Sequence, residues 1–465
     1  MKLLFTLLFL VSTASPAGWP YPYHVNGKKY IEYGFDLPTP RYVAANIVSM
    51  ETQPFDGLVV AAGNSLVFLF NPADWTRGID NASLSRVHWH KFTTNFLDLH
   101  SNDSSGMDYF NDIQWTQIAA NVHALSLAAK NNGFRGIFWD VEPYSALSPW
   151  KVVDNQGTHS LAALQHEVFL RGAQIMQAAQ SAYPNITIYM DYMQTSASDT
   201  KQPYALLANF VNGMLSVIGP QVILVNGQEW IYWSGDTKYW FSAYDQSKTI
   251  LRNQFVNADY YTVWDAQVGV GRATYDAAVL KSGLTESQQI QKVQHNVYMG
   301  MVTTDEINVG YFEQMNWWGN TAADQPVGNN ITASPPSWFT SAIVTARNLF
   351  ASGTRLGFDW VGGTIDGGGG LPNTSVTVNL MQSGSVITAK ASATSSKINR
   401  MEVWVNMVLK ATSATHSASY DLAALGPGSY DVVARSYSAA EASGTSNLIT
   451  IGAVHPPTRL RSRER

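Results

Sequence analysis

The chain has 465 residues, 45% apolar and 14% charged, which excludes a disordered polypeptide and leaves room for more than one core. Its formal net charge of −5, with no long basic stretch before the C-terminal tail, excludes nucleic acid as a partner of the folded part. Cysteine is absent, so a disulfide scaffold is excluded and stability must come from a sizeable core.

The N-terminal MKLLFTLLFLVSTASPAG has one early Lys, an apolar run from Leu3 to Val11 and then small residues. That is the pattern of a secretory signal peptide (1–17) cut after Ala14 or Ala17, and it predicts a protein that is secreted, periplasmic or on the cell surface; an exported chain without cysteine favours a bacterial one. The run is too short to span a bilayer, and no later segment reaches the ~18 continuous apolar residues of an integral membrane span.

From residue 28 to 353, strand-like and helix-like segments alternate. KYIEYGFD (29–36) is a first strand, followed by a helix over 39–53; FDGLVVAAG (55–63) and TTNFLDLH (93–100) are the next two strands. A helix over 115–133 ends on Asn-Gly, a strong stop signal, and leads into GFRGIFWDVE (133–142). A long helix at 160–183, a strand at 185–193, a helix at 204–218, a strand at 221–230 and a helix at 245–256 follow. AQVGVGRATYD (266–276) is a weaker seventh strand, and NVGYFEQMNWW (308–318) an eighth, with helices at 285–303 and 336–353. Eight strand-then-helix units predict a (β/α)8 TIM barrel (18–354); a doubly wound open sheet would show the same alternation. A Gly-rich linker (355–374) then leads to segments alternating at period two, which predict an immunoglobulin-like β-sandwich (375–454) and a disordered basic tail (455–465).

In the fourth strand, alternation puts Phe134, Gly136, Phe138, Asp140 and Glu142 on one face, and Arg135, Ile137, Trp139 and Val141 on the other. With helices over the second face, both acids point into the barrel mouth at the strand's C-terminal end, where barrel active sites lie. Two acids at i and i+2 are roughly 6–7 Å apart and each disfavours ionisation of the other. One then stays protonated near neutral pH, as a general acid must. The outer, longer Glu142 is the expected proton donor and Asp140 its orienting partner.

Cleavage at an acetal carbon needs a second carboxylate. Glu313 at the end of the eighth strand ranks first, then Asp191 on the fifth and Glu229 on the sixth; Asp36 adds a polar group with Glu32 on the first. Tyr144, Tyr192, Trp230, Trp233, Trp317 and Trp318, with the amide of Asn316, stand at or just past strand ends. Aromatic planes beside amides and carboxylates suit a carbohydrate, whose rings stack and whose hydroxyls need polar partners.

FWDVEPY resembles the acid-bearing strand of secreted (β/α)8 glycoside hydrolases. Its D-x-E close is similar to the end of the D-x-x-D-x-D-x-E motif of family-18-type chitinases, and VEPY to the E-P-Y stretch of the endo-α-mannosidase group. The resemblance implies an O-glycosyl hydrolase with Glu142 as its acid. Phe138 and Arg135 stand where the chitinase motif has Asp, so no substrate is implied.

The sequence carries no cofactor signal. HWH (His88, His90) lacks a third metal ligand, and GVGRAT lacks the third Gly and the downstream acid of a dinucleotide site. The competing expectation is a non-catalytic carbohydrate-binding or cell-surface protein on the same scaffold.

Overall fold

The computed structural model describes residues 27–454 except 71–77, 102–106, 145–146, 194–199, 228, 234, 329, 361–375, 394–397 and 439–442. The expected signal peptide and basic tail, and most of the linker, lie outside the described residues.

Nine parallel strands run β1 (Lys29–Gly34), β2 (Gly57–Val60), β3 (Phe96–His100), β4 (Gly136–Asp140), β5 (Thr187–Met190), β6 (Ile223–Asn226), β7 (Val268–Val270), β8 (Arg272–Tyr275) and β9 (Ile307–Phe312). Their order is β7-β6-β5-β4-β3-β2-β1-β9-β8. The two ends of that path are one chain segment interrupted at Gly271. β7 pairs with β6 (Asn226 opposite Val270) and β8 with β9 (Arg272 opposite Asn308). The seventh strand thus hands over from one neighbour to the other and closes an eightfold barrel, which rules out the open sheet. Glycine is required at the handover, because a Cβ at 271 would lie 2.6 Å from the Tyr189 hydroxyl inside the barrel.

Alternation then sorts the strands into two cores. Ile31, Tyr33, Val59, Phe96, Phe138, Tyr189, Val225, Ala273 and Val309 fill the barrel interior. Ile137, Trp139 and Val141 face the helices, as the fourth-strand pattern predicts. The helices begin on local signals. Thr39 caps Pro40–Met50 with proline at its first turn, Ser160 caps Leu161–Ala182, and Thr285 with Gln288 makes a capping box for Glu286–Thr303. Gly133, at φ +73°, follows the end of Asp112–Asn131, the Asn-Gly stop read from the sequence.

Strand ends differ from the sequence pattern. The expected eighth strand stops at Phe312 and the sixth at Asn226; Glu229–Trp233 is a 3-10 turn. The helix expected over 245–256 starts earlier, at Thr237, with Asp236 as its cap.

Beyond the barrel, antiparallel strands form a three-stranded sheet and a second sheet around a core of Val378, Ile387, Met401, Val403, Leu422, Val432 and Ala434. These sheets fit an immunoglobulin-like module. Their outward residues Trp404, Met407 and Val433 pack into the same core as the barrel helices.

Candidate active site

The inward acids gather toward the C-terminal end of the barrel, with Asp98 one layer deeper than Asp140. On β3, Phe96, Asp98 and His100 share the inward face; on β4, Phe138 and Asp140; on β5, Tyr189 and then Asp191; on β9, Val309, Tyr311 and Glu313. Carboxylate oxygens of Asp140, Glu142 and Asp191 lie within 4.8 Å of one another. β4 and β9 are four strands apart in either direction around the closed ring, so Glu142 and Glu313 stand on opposite sides of the mouth.

Asp140 is buried and held at both oxygens. One accepts the Glu142 backbone N–H at 2.9 Å, and the other lies 3.1 Å from His100 Nδ1. His100 Nε2 is 2.9 Å from buried Asp98. Burial alone would lower the His100 pKa, but Asp98 and Asp140 outweigh it and lift it to about 10. His100 is thus held toward its charged form between Asp98 and Asp140, while burial raises Asp98.

Glu142 is pushed up to about 7, first by burial and then by the Asp140 charge. Its oxygens accept from the Tyr144 and Tyr204 hydroxyls. Asp191 is raised well above the usual carboxylate range by burial and by Asp140, Glu229 and Glu142. Its Oδ1 accepts the Val141 and Tyr192 amides, both at 2.9 Å. Glu229 is likewise raised by burial and by Glu142 and Asp140, and it accepts from the Tyr232 hydroxyl. Glu313 is half-buried and accepts from Tyr275. Asp276 orients that turn, taking the amides of Glu313 and Gln314 at 3.0 and 2.8 Å. Each mouth glutamate thus carries a tyrosine hydroxyl.

Among the described residues, the aromatic surface of the mouth is tyrosine. The Tyr232 ring stacks on Tyr311 at 5.4 Å and on Tyr275 at 4.7 Å, and Tyr192 lies 5.8 Å from Tyr204. Tyr144 is 59% exposed. Trp230 and Trp233 belong to the Glu229–Trp233 turn, and the placement of their side chains lies outside the described residues.

Four expected binding residues are corrected. Trp317 and Trp318 are core: Trp317 packs on Phe55, Phe312 and Phe339, and Trp318 on Phe55 and Phe92. The strand ends at Phe312, so the alternation that would carry Trp317 inward does not reach it. Asn316 is buried and braces its own loop, donating to the Asn320 and Ile331 carbonyls and accepting from Trp318 and Gly319. Asp36 is fully buried, accepts the Trp317 amide at 2.6 Å, and is lifted to about 7 by burial. Glu32 is on the helix-facing side of β1, alternating with inward Ile31 and Tyr33, and accepts from Trp318 Nε1.

Asp98, His100, Tyr204 and Tyr275 were not singled out by the sequence. The first two were legible there, since Phe96, Asp98 and His100 obey the same alternation as Phe138 and Asp140. Tyr204 lies in a loop, where no period applies.

The Asp140, Glu142 and Asp191 oxygens have spacing suited to a cation. Their bonding does not match: amides and an imidazolium already occupy Asp140 and Asp191, and a neighbouring imidazolium repels a second positive charge. A cavity of about 320 Å³ opens at the opposite, N-terminal end of the barrel, among Ile223, Lys248, Val268, Asp305 and Ile307, remote from these acids.

Fold and site together define a (β/α)8 barrel with an acid- and tyrosine-lined mouth. No known family model matches the chain, and no curated protein matches it. Among solved structures it is similar to a glucosidase from Croceicoccus marinus, with 9% identity over 80% of this chain and 88% of that one, TM-score 0.38. It is similar also to a GH18 chitinase from Pseudoalteromonas aurantia, with 12% identity, 68% and 99% coverage, TM-score 0.35. A Cellulomonas fimi endo-beta-1,4-mannanase double mutant gives 9% identity, 92% and 94% coverage, TM-score 0.37. These neighbours are glycoside hydrolases; at such identities and TM-scores no residue role passes from them to this chain.

Proposed function

We propose that the protein is an exported glycoside hydrolase acting on an oligo- or polysaccharide, with Glu142 as general acid. The observation that carries this reading is Glu142 at the barrel mouth within 4.8 Å of Asp140 and Asp191, with Glu313 on the opposite side; burial and the adjacent Asp140 push Glu142 up to about 7, as a general acid needs. Glu142 gives its proton to the glycosidic oxygen as the bond to the anomeric carbon breaks, and the bonding electrons leave with that oxygen. Glu313, across the mouth, supplies the second carboxylate, either attacking the anomeric carbon or taking a proton from the attacking water. Asp191 and Glu229 suit that role less well, because burial and like charges favour their protonated forms. The tyrosines offer stacking faces and hydroxyls to the sugar. Export is part of the proposal and rests on the N-terminal sequence.

A second reading, a non-catalytic carbohydrate-binding protein, is favoured by the tyrosine hydroxyls donated to Glu142, Glu229 and Glu313, which suit a fixed polar binding surface as well as a reacting one. A glycan panel separates the two: release of reducing ends supports hydrolysis, and saturable binding without release supports the second reading.

A further inference from the structure

The 3-10 turn Glu229–Trp233 carries Glu229 and Tyr232 into the mouth, and only residues 234–236 separate it from the helix Thr237–Asp245. That helix is gripped at both ends by residues from beyond the barrel. At its start, Asp359 Oδ1 accepts the Thr237 backbone N–H at 2.9 Å and the Thr237 hydroxyl at 3.0 Å. The same oxygen lies 3.0 Å from Nε2 of His295, which is buried in the helix Glu286–Thr303. At its end, the fully buried Arg435 of the sandwich pairs with Asp245. Between the two, Phe241 lies 5.8 Å from Trp404 and 4.5 Å from the Arg435 guanidinium.

We propose that the sandwich and the segment leading to it brace the mouth of the barrel, with Asp359 as the positioning residue for the turn that holds Glu229 and Tyr232. The helix has its own cap in Asp236, whose side chain accepts from Tyr239, so the helix does not need Asp359 in order to form. The Thr237 hydroxyl already lies 3.4 Å from His295 Nε2 on a different barrel helix, and Asp359 strengthens that tie by bonding the Thr237 amide, the Thr237 hydroxyl and His295 with one oxygen. The sandwich face turned toward the barrel is committed to the helix Thr237–Asp245, so it is a structural partner of the site. A catalytic consequence rests on the glycosidase reading; the bracing does not.

The test is amide hydrogen exchange on the full-length chain with Asp359→Ala and Asp359→Asn. Asp359→Ala is expected to speed exchange over 229–237 by about ten-fold or more, with Asp112–Asn131 unchanged. Asp359→Asn, which keeps an acceptor for Thr237, is expected to stay near the parent. Parental exchange over 229–237 in Asp359→Ala overturns the proposal. If Asp359→Ala does not fold, Asp359→Ser, which also removes the carboxylate and leaves the direct Thr237–His295 contact, is read in the same way: faster exchange supports the brace and parental exchange overturns it. On a hydrolysed glycan, Asp359→Ala is further expected to lower kcat more than it raises KM, with Asp359→Asn restoring kcat. Because exchange needs no substrate, a failed brace and a failed glycosidase reading give different results.

Discussion

Glu142 keeps its proton at a cost to the fold. Its pKa in the folded protein is about 7, above the ordinary 4.5, so the folded state binds the proton more tightly than the unfolded chain. Stability from this group is therefore full below pH ~4.5 and falls as pH rises through ~7. Glu142→Gln removes that dependence and is expected to be more stable than the parent at pH 8 by on the order of 1–3 kcal/mol, with little difference at pH 4, in urea melts. His100 follows the same sign over a higher pH window. Its pKa is raised from 6.5 to about 10, so its contribution is complete below 6.5 and is lost as pH rises through about 10. His100→Gln leaves Asp98 and Asp140 without their cation and is expected to cost about 3 kcal/mol at pH 6 and less at pH 10.5. The Asp140–Glu142 pair was legible because one strand's alternation fixes a face. Its bonds to His100 and Tyr204 were not, because they join strands and loops whose spacing in space no local pattern encodes.

Period-two patterns located the strands but ran past their ends. Trp317 illustrates why: Glu313, Gln314, Met315, Asn316 and Trp317 follow Phe312 with no Gly or Pro to mark a stop, while the backbone turns to meet Asp276 and Asp36. Buried carboxylates binding backbone amides end these strands, and such partners lie far away in sequence. The seventh strand looked weak because it is two short pairings about one glycine. Gly271→Ala is expected to destabilise by about 1–3 kcal/mol, since its Cβ would press on the Tyr189 ring at the barrel centre. A denaturant midpoint equal to the parent's would contradict the handover geometry.

The sequence separates barrel from sandwich through the Gly-rich linker and the change of period. It gives no sign that the two share a core, because Trp404 and Arg435 alternate like any outward-facing residues of a sandwich. A chain ending at residue 360 would expose Phe241 and leave buried Asp245 without Arg435. It is expected to melt well below the full chain or to aggregate, and the full chain to unfold in one calorimetric transition; two separate transitions would contradict the shared core. The proposed chemistry is cleavage of glycosidic bonds at the acidic mouth through Glu142. The most direct measurement is turnover of the best substrate from a glycan panel by the parent and Glu142→Gln, across pH 4–9. Parental activity is expected to decline as pH rises through about 7, and a folded, glycan-binding Glu142→Gln to be slower by about 10²-fold or more. A Glu142→Gln protein with parental turnover would contradict the proposed chemistry.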